Sequence, residues 1–210
     1  MCFTPMNLDL IGKMRIISGK FKGRKLADSF KIKNLRPTTD KNREALFNIL
    51  LSAKFMQEYQ LKFTDSVFLD ICCGTGAIGI EAISRGVKEV LFIDNNLEHI
   101  NLLKKNLQIL KIEEEATIIN KSAEYIKNNY DKIFDIIFLD PPYEYDYLTI
   151  INNLLKQNFF STKTLFIIES DKKYFEKIQD KILVNFQILD QRNFGKSQFN
   201  FLLKKPTQLC

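Results

Sequence analysis

Little in this sequence suits a metal centre or a disulfide framework. Histidine occurs once in 210 residues, at His99, so neither a histidine-based metal site nor a histidine-dependent catalytic triad is expected. The four cysteines form no C-x-x-C pair, and the adjacent pair Cys72 and Cys73 sits inside a glycine motif where small apolar side chains fit. We therefore predict no metal ion, no disulfide and a reducing, cytoplasmic location. His99 lies on an Asn/Leu/Lys-rich helix pattern and is predicted to be a surface residue.

Long apolar runs are absent as well. No stretch approaches the roughly 18 consecutive apolar residues of a membrane span, so no membrane partner is expected. Residues 1–13 lack the basic start and apolar run of a signal peptide. We interpret them as a flexible leader, and Met14, where organised sequence begins, is an alternative start.

Acidic residues are scarce in one segment. Between Lys13 and Arg43 there are eleven Lys or Arg but only Asp28 and Asp40 as acids, a net charge of +9. The whole chain carries +6, so the remainder is −3. Such a concentration favours a polyanion such as nucleic acid as partner, the alternative being a solvated basic face.

The pattern of elements changes near residue 66. The stretch "MRIISGKFKGRKL" predicts a basic hairpin of two short strands, and "LRPTTDKNREALFNILLS" predicts a helix capped by Thr38, Thr39 or Asp40. Residues 54–65 are interpreted as a connector. The predicted domains are a leader (1–13), a basic N-terminal extension (14–65) and an α/β domain (66–210).

From Val67 onward strands alternate with helices. Predicted strands are Val67–Ile71, Val90–Asp94, Thr117–Asn120, Ile133–Asp140, Leu165–Glu169, Ile182–Leu189 and Phe199–Leu203. Predicted helices are Ala77–Ser84, Leu97–Leu110, Ala123–Asn129, Tyr147–Gln157 and Lys172–Asp180. The first five strands are short apolar runs, which is typical of a parallel sheet covered on both faces. The last two are expected to form an antiparallel hairpin, completing a doubly wound, Rossmann-like fold.

A glycine motif follows the first of these strands. In "VFLDICCGTGAIGIEA", Gly74, Gly76 and Gly79 form G-x-G-x-x-G between a strand and a helix, and Asp94 ends the next strand, where a carboxylate can bind both hydroxyls of a ribose. Asp70 would lie unfavourably near the pyrophosphate of NAD but could bind the cationic ammonium of S-adenosylmethionine. The motif thus favours S-adenosylmethionine, although such glycines can also simply form a tight turn.

The fourth strand ends in "DPPY". Asp140 Oδ and the Pro141 carbonyl can accept the two N–H bonds of an exocyclic amino group, while Pro141 and Pro142 stiffen the loop and remove donors. Tyr143 offers a stacking face for a planar base. The alternative is a proline-rich turn with Tyr143 packed on the surface.

These residues carry a resemblance. With "MRIISGKFKGRKL", "LRPTTDKNREALFNIL", "LDICCGTGAIGIEAISRG", "FLDPPY" and "IIESD", the chain resembles the bacterial 16S ribosomal RNA guanine-N2 methyltransferases, which use S-adenosylmethionine. The resemblance implies a Rossmann-like class I methyltransferase fold, a seven-stranded sheet with an antiparallel last strand and a small N-terminal extension. The implied partner is 16S ribosomal RNA in the small subunit or its assembly intermediate. A monomer is expected.

The resemblance and the motifs together name three sets of site residues. Those expected at the transferred methyl group are Asp140, Pro141, Pro142 and Tyr143. Those expected to bind the cofactor are Asp70, Cys72, Gly74, Thr75, Gly76, Asp94, Asn95, Ser122, Ala123, Thr38 and Thr39. Those expected to contact RNA are Arg15, Lys20, Lys22, Arg24, Lys25, Arg36 and Arg43. Ser122 is placed beside the adenine, with a helix N-cap as its alternative role.

Three other functions remain open from the sequence. A DNA adenine-N6 methyltransferase shares the D-P-P-Y chemistry but usually needs a sizeable recognition domain, and only residues 1–65 are spare. A nucleic-acid-binding protein without activity would share the fold. An NAD-dependent oxidoreductase ranks last, because no segment suggests hydride transfer.

Overall fold

The computed structural model describes residues 14–27, 38–127, 132–142, 146–157 and 159–206. The strands are β1 (Val67–Ile71), β2 (Glu89–Asp94), β3 (Ala116–Asn120), β4 (Phe134–Leu139), β5 (Phe160–Asp171), β6 (Phe186–Phe194) and β7 (Ser197–Lys204). The helices are α1 (Asp40–Ser52), α2 (Lys54–Glu58), α3 (Ala77–Ser84), α4 (Leu97–Leu110), α5 (Tyr147–Lys156) and α6 (Lys172–Leu183). A 3₁₀ turn spans Ala123–Tyr125.

The seven strands form one sheet in the order β3-β2-β1-β4-β5-β7-β6. The pairs among β1 to β5 are parallel, and β7 runs antiparallel between β5 and β6. This confirms the predicted Rossmann-like sheet with an antiparallel last strand. The strand order reverses between β1 and β4, and in such sheets ligands bind at the carboxyl ends of the strands at that point.

Strand residues alternate between two cores, one on each face of the sheet. Phe68, Phe92 and Phe138 face a core that includes α1, α2 and α3, whereas Leu69, Ile93 and Leu139 face the core formed with α5 and α6. Successive side chains of a strand point to opposite faces of the sheet. Because both faces are buried here, these strands are continuous apolar runs rather than alternations of apolar and polar residues. We call these the α1 face and the α5 face.

The N-terminal residues contribute directly to the α1-face core. The buried apolar side chains from this part of the chain are Ile16, Leu26, Leu46, Phe47, Leu50, Phe55, Met56 and Phe63. They pack in the same cluster as Phe68 and Phe138. The boundary at residue 65 therefore marks a change in sequence pattern, although the residues on both sides of it pack in one core.

Thr39 caps α1. Its side chain accepts a hydrogen bond from the Asn42 amide at 3.2 Å, one of the three caps expected from the sequence. Helices α3 and α4 have the predicted bounds.

Several predicted elements were wrong. The predicted connector begins with α2, whose Phe55 and Met56 are buried. The predicted helix Ala123–Asn129 is only the 3₁₀ turn, followed by extended backbone at Ile126; residues 128–131 lie outside the described part. Ile182 belongs to α6 rather than to a strand, because its side chain continues the buried stripe of Phe175 and Ile178.

The basic hairpin is also less regular than predicted. Arg15 and Lys25 form a single antiparallel bridge, and no longer strand is present in residues 14–27. Hydrogen bonds from Ile16 N to Arg24 O (3.0 Å) and from Leu26 N to Met14 O (2.8 Å) hold its two arms together.

None of the helices within the described residues is both long and apolar enough to cross a membrane.

Candidate active site

The glycine loop connects β1 to α3 through backbone that most residues avoid. Gly74 and Gly76 have φ of 54° and 76°, and Cys72 also has a positive φ of 60°. A Cβ atom at Gly76 would lie 2.3 Å from Leu103 Cδ1 on α4, so a larger residue would displace that side chain and strain the backbone at this positive φ. The loop thus turns tightly at the carboxyl end of β1, as the motif predicts.

Asp70, one residue before the end of β1, is buried on the α1 face. Its Oδ2 accepts a hydrogen bond from Gly79 N, in the first turn of α3, at 2.9 Å. Burial raises the pKa of its carboxyl to about 7, with the charge of Asp94 adding to the rise and the Gly79 hydrogen bond opposing it. This carboxyl therefore exchanges its proton near neutral pH.

Asp94, at the end of β2, holds the glycine loop and the start of α4. Its Oδ2 accepts from Gly74 N at 2.8 Å, and its Oδ1 accepts from Asn96 N at 2.9 Å. His99 Nδ1 lies 3.1 Å from the same Oδ1. His99, predicted to be a surface residue, is only partly exposed, with 17% of its side chain accessible beside Asp94. A carboxylate has about four acceptor positions, so there is room for roughly one further donor.

The other residues predicted at the cofactor lie around this loop. Thr75 is buried, with its hydroxyl 3.5 Å from Met14 Sδ, while Asn95 is exposed beside Asp94. Ser122 follows β3 and makes no capping hydrogen bond to the 3₁₀ turn. Its Oγ is buried and has no hydrogen-bond partner among the described residues, while the neighbouring Ala123 is buried. Ser122 occupies the N-cap position of the 3₁₀ turn, but its hydroxyl does not cap it, so a ligand edge could satisfy this hydroxyl.

Asp140 directly follows β4, beside the end of β1. Its amide donates to Ile71 O at 3.4 Å, so Asp70 and Asp140 open into one crevice. Asp140 is partly exposed, Pro141 is buried and Pro142 is exposed. Tyr143, the predicted stacking residue, lies outside the described residues.

Tyr147 supports the proline loop, a role the sequence analysis missed. Its buried hydroxyl lies 3.0 Å from Pro141 O and 3.2 Å from Glu169 O, so it can donate to either carbonyl. Its ring packs against Tyr174 with centroids 4.8 Å apart. Tyr147 thereby ties Pro141 to the neighbouring strand β5.

Glu169, near the end of β5, is a second acid that the sequence analysis did not assign. Burial raises the pKa of its carboxyl, partly opposed by hydrogen bonds from the Ser197 and Thr38 side chains. Burial, and then the charges of Glu169 and Asp70, raise the pKa of Asp140 well above its ordinary value. The available signal was an acid at the carboxyl end of a buried strand, the same signal that Asp70 and Asp140 give.

The two threonines before α1 have separate contacts. Thr38 Oγ1 donates to Glu169 Oε2 at 3.3 Å, whereas Thr39 caps α1. Thr38 therefore connects the N-terminal extension to Glu169, whose charge acts on Asp140. The expectation that both threonines lie over the methionine end of the cofactor stays a prediction.

The basic hairpin is held rigidly on α3. The buried carboxylate of Glu81 accepts from Ile17 N (2.8 Å) and Ser18 N (2.9 Å), and Lys20 N donates to Ser84 O at 2.7 Å. The predicted RNA-binding residues on this hairpin are all exposed: Arg15, Lys20, Lys22, Arg24 and Lys25. Lys20 Nζ and Arg24 Cζ both lie over the ring of Phe21, 4.9 and 5.6 Å from its centroid.

The prediction that Arg43 contacts RNA was wrong. Its side chain is 1% exposed, and its guanidinium donates to Arg15 O at 2.8 Å and to Asp40 Oδ1 at 2.7 Å. It is buried because its helix position faces the core with Leu46 and Phe47. Arg43 thus supports the hairpin and presents no charge to RNA, while Arg36 lies outside the described residues.

Several known proteins share much of this sequence. The sequence model of a family described as Conserved hypothetical protein 95 matches residues 14–203. Ribosomal RNA small subunit methyltransferase D from Haemophilus influenzae is 35% identical over 191 residues, which cover 88% of this chain and 90% of that protein. Proteins of the same name from Buchnera aphidicola and Escherichia coli are 39% and 35% identical over 163 residues. These alignments cover 77% and 76% of this chain, and 80% and 76% of the two proteins.

Solved structures show the same architecture. The Escherichia coli protein yhhF superposes with a TM-score of 0.76 at 29% identity, covering 92% of this chain and 99% of that chain. The Haemophilus influenzae protein HI0767 superposes with a TM-score of 0.67 at 31% identity, covering 93% of this chain and all of that chain. The chain therefore belongs to the family of the ribosomal RNA small subunit methyltransferases D.

Proposed function

We propose that this protein transfers a methyl group from S-adenosylmethionine to the exocyclic N2 of a guanine in 16S ribosomal RNA of the small subunit. The observation that carries the proposal is the position of Asp140 and Pro141 at the carboxyl end of β4, beside the glycine loop that follows β1. Family membership supports the RNA substrate.

The residues around the glycine loop fit the cofactor. Asp70 offers a carboxyl to a cationic ammonium, Asp94 has room for about one more donor, and Ser122 has a buried hydroxyl without a partner among the described residues. When bound, S-adenosylmethionine supplies an activated methyl group. The protein's task is to hold the acceptor nitrogen in line with that group.

Asp140 and Pro141 perform this orientation. The nitrogen of an exocyclic amino group is a poor nucleophile because its lone pair is conjugated with the ring. Two acceptors that bind its N–H bonds hold the nitrogen as it becomes tetrahedral and direct the lone pair away from the ring. The methylated nitrogen is an acidic ammonium, so it loses its proton readily. Donation from the base also favours the ionised form of Asp140, opposing the effect of burial.

The basic hairpin supplies the RNA contact. Its five exposed cations lie on a segment that Glu81 and Ser84 fix to α3, with Phe21 among them. Fixed cations neutralise phosphates with little loss of conformational freedom on binding. The described residues before β1 pack into the sheet's own core, so they offer no separate unit for DNA recognition.

The test is methyl transfer to small subunits from a strain lacking the gene, followed by mass spectrometry of the RNA nucleosides. We expect the wild-type protein to form N2-methylguanosine. Asp140→Ala should lower the rate by at least about a hundredfold while S-adenosylhomocysteine affinity changes little, because orientation is lost but the glycine loop is intact.

Asp190→Ala, the same substitution on edge strand β6, is the control and should retain activity. Near-normal turnover by Asp140→Ala would contradict the proposed mechanism. Methylation of DNA adenine instead of subunit guanine would contradict the proposed substrate.

A further inference from the structure

Two acids end neighbouring strands opposite each other. Leu139 of β4 pairs with Ile168 of β5, so the next residues, Asp140 and Glu169, are also opposite. Ile167 and Phe138 face the α1-face core, and the alternation of strand residues places both acids on that face. Adjacent strands lie about 4.8 Å apart, which brings the two carboxyl groups into one pocket.

Within the part of the chain that the structure describes, the pair of acids Asp140 and Glu169 lacks a positively charged partner. Among the described residues, no Lys, Arg or His forms an ion pair with Asp140 or Glu169. Glu169 is 6% exposed, and its described side-chain donors are the hydroxyls of Thr38 and Ser197. Two adjacent ionised carboxyl groups, one buried at Glu169 and one partly exposed at Asp140, destabilise the fold unless a ligand supplies donors.

Asp140, Pro141 and Glu169 therefore offer three acceptors to a base held by its amino group. In the proposed function Asp140 Oδ and Pro141 O accept from the two amino N–H bonds, and Glu169 lies beside them at the end of the neighbouring strand β5. The three amino-bearing bases differ at the ring nitrogen beside the amino carbon. Guanine has a donor there, N1–H, whereas adenine N1 and cytosine N3 are acceptors with a lone pair.

We propose that Glu169 accepts a hydrogen bond from N1–H of the target guanine and so selects guanine over the other amino-bearing bases. A carboxylate attracts N1–H and repels the lone pair of adenine or cytosine. This inference rests on the proposed function. The D-P-P-Y loop recognises an amino group on any planar base, and Glu169 would add the preference for guanine.

The test compares two bases that both carry a 2-amino group. Small subunits are reconstituted with guanine or 2-aminopurine at the modified position; 2-aminopurine has a lone pair at N1 and no oxygen at C6. Wild-type protein should methylate guanine about a hundredfold faster, because the analogue leaves the buried acid without its donor. The absence of methylation on guanine would overturn the proposed function itself.

Glu169→Gln decides the role of Glu169. The amide has the same shape, and its NH₂ can donate to a lone pair, so the guanine to 2-aminopurine rate ratio should fall at least about tenfold. Thr38→Val removes the hydroxyl that contacts Glu169 and is the matched control. Its ratio should stay near the wild-type value even if both rates drop.

Two outcomes overturn the inference. One is an unchanged ratio in Glu169→Gln, and the other is an equal fall in Thr38→Val, which would assign the effect to the link between the N-terminal extension and the sheet. If Glu169→Gln does not fold, Glu169→Asp is measured on the same pair of substrates. This variant withdraws the carboxylate by one methylene, so a fall in its ratio supports the inference and an unchanged ratio overturns it.

Discussion

Asp70 and Asp94 occupy equivalent positions on neighbouring strands, but their hydrogen-bond partners differ. Each stands at the carboxyl end of a neighbouring parallel strand, and each was predicted to bind the cofactor. Asp94 accepts hydrogen bonds from two backbone amides and contacts His99, whereas the hydrogen bond shown for Asp70 comes from Gly79 N alone. Asp70 is therefore the acid whose protonation changes near neutral pH, as its pKa of about 7 indicates.

Cofactor affinity should consequently depend on pH through Asp70. A cationic ammonium prefers the carboxylate, and below pH 7 the carboxyl of the free protein is mostly protonated. The affinity for S-adenosylhomocysteine should rise with pH, by up to about tenfold per unit below pH 7, and level off above it. Asp70→Asn should flatten this profile while keeping an acceptor for Gly79 N. Calorimetric titration between pH 5 and 8 measures the affinity of the wild-type protein and of the variant. An equal pH dependence in the two proteins would contradict the prediction that Asp70 binds the ammonium group.

Tyr147 should matter for turnover more than for cofactor binding. Tyr147→Phe removes the hydroxyl that donates to Pro141 O or Glu169 O, so the proline loop loses a fixed point. We expect kcat to fall about tenfold and the free energy of unfolding to fall by about 1 kcal/mol. Tyr174→Phe makes the same chemical change in the adjacent ring and should have less effect on kcat. Equal effects of the two variants would argue that the contact of the Tyr147 hydroxyl with the proline loop has no special role in turnover.

At the scale of elements, α3 serves both functional regions. Its first turn donates Gly79 N to Asp70, and its later turns carry Glu81 and Ser84, which hold the hairpin. Arg85 completes this end by donating to Glu81 at 2.8 Å. One short buried helix thus links the cofactor loop to the basic surface, so displacing the hairpin should disturb RNA binding without touching the proline loop.

Two glycines of the hairpin provide a matched pair of variants. Gly19 and Gly23 have φ of 83° and 80°, so alanine costs about 1–2 kcal/mol of backbone strain at either position. A Cβ at Gly19 would lie 1.8 Å from Ser84 O, whereas a Cβ at Gly23 meets nothing within 4 Å. Gly19→Ala should therefore lose more stability in urea unfolding and weaken RNA binding by about tenfold, while Gly23→Ala binds nearly normally. Indistinguishable variants would mean that docking on α3 is unimportant.

At the scale of the whole molecule, positive charge and the acid crevice are segregated. The exposed cations of the hairpin stand on α3, while the acids Asp70, Asp140 and Glu169 lie at the carboxyl ends of the strands. The molecule's net charge of +6 is thus largely a property of one region. In the proposed function that region attracts the RNA while one base enters the pocket that contains Asp140 and Glu169.

Charge reversal in two different regions distinguishes the effect of direct RNA contacts from the effect of the protein's net charge. Lys22→Glu, Arg24→Glu and Lys25→Glu together should lower the slope of log affinity against log salt by about 2–3, because three phosphate contacts are lost. Lys173→Glu, Lys177→Glu and Lys181→Glu on α6 change the net charge equally, but they lie on the α5 face. A slope reduced equally by both sets would mean that the hairpin is not the specific RNA contact.

Much of the fold and part of the site could be predicted from local sequence. Helix α4 and strand β1 have the predicted bounds because apolar periodicity and flanking turn residues act over a few residues. The acids Asp70, Asp94 and Asp140 stand where predicted because the carboxyl ends of parallel strands share one edge of the sheet. The prediction of Arg43 as an RNA contact was wrong because charge alone does not reveal which helix face is buried.

The sequence by itself determined the order of strands and helices, the glycine turn and the acceptor loop, since each depends on short-range backbone preferences. The tertiary structure alone decided which side chains meet. Thr38 reaches Glu169 across 131 residues, Arg43 enters the core, and His99 turns onto Asp94. Burial and hydrogen-bond partners depend on what packs above each strand end, and that is fixed only when the N-terminal residues close over the α1 face.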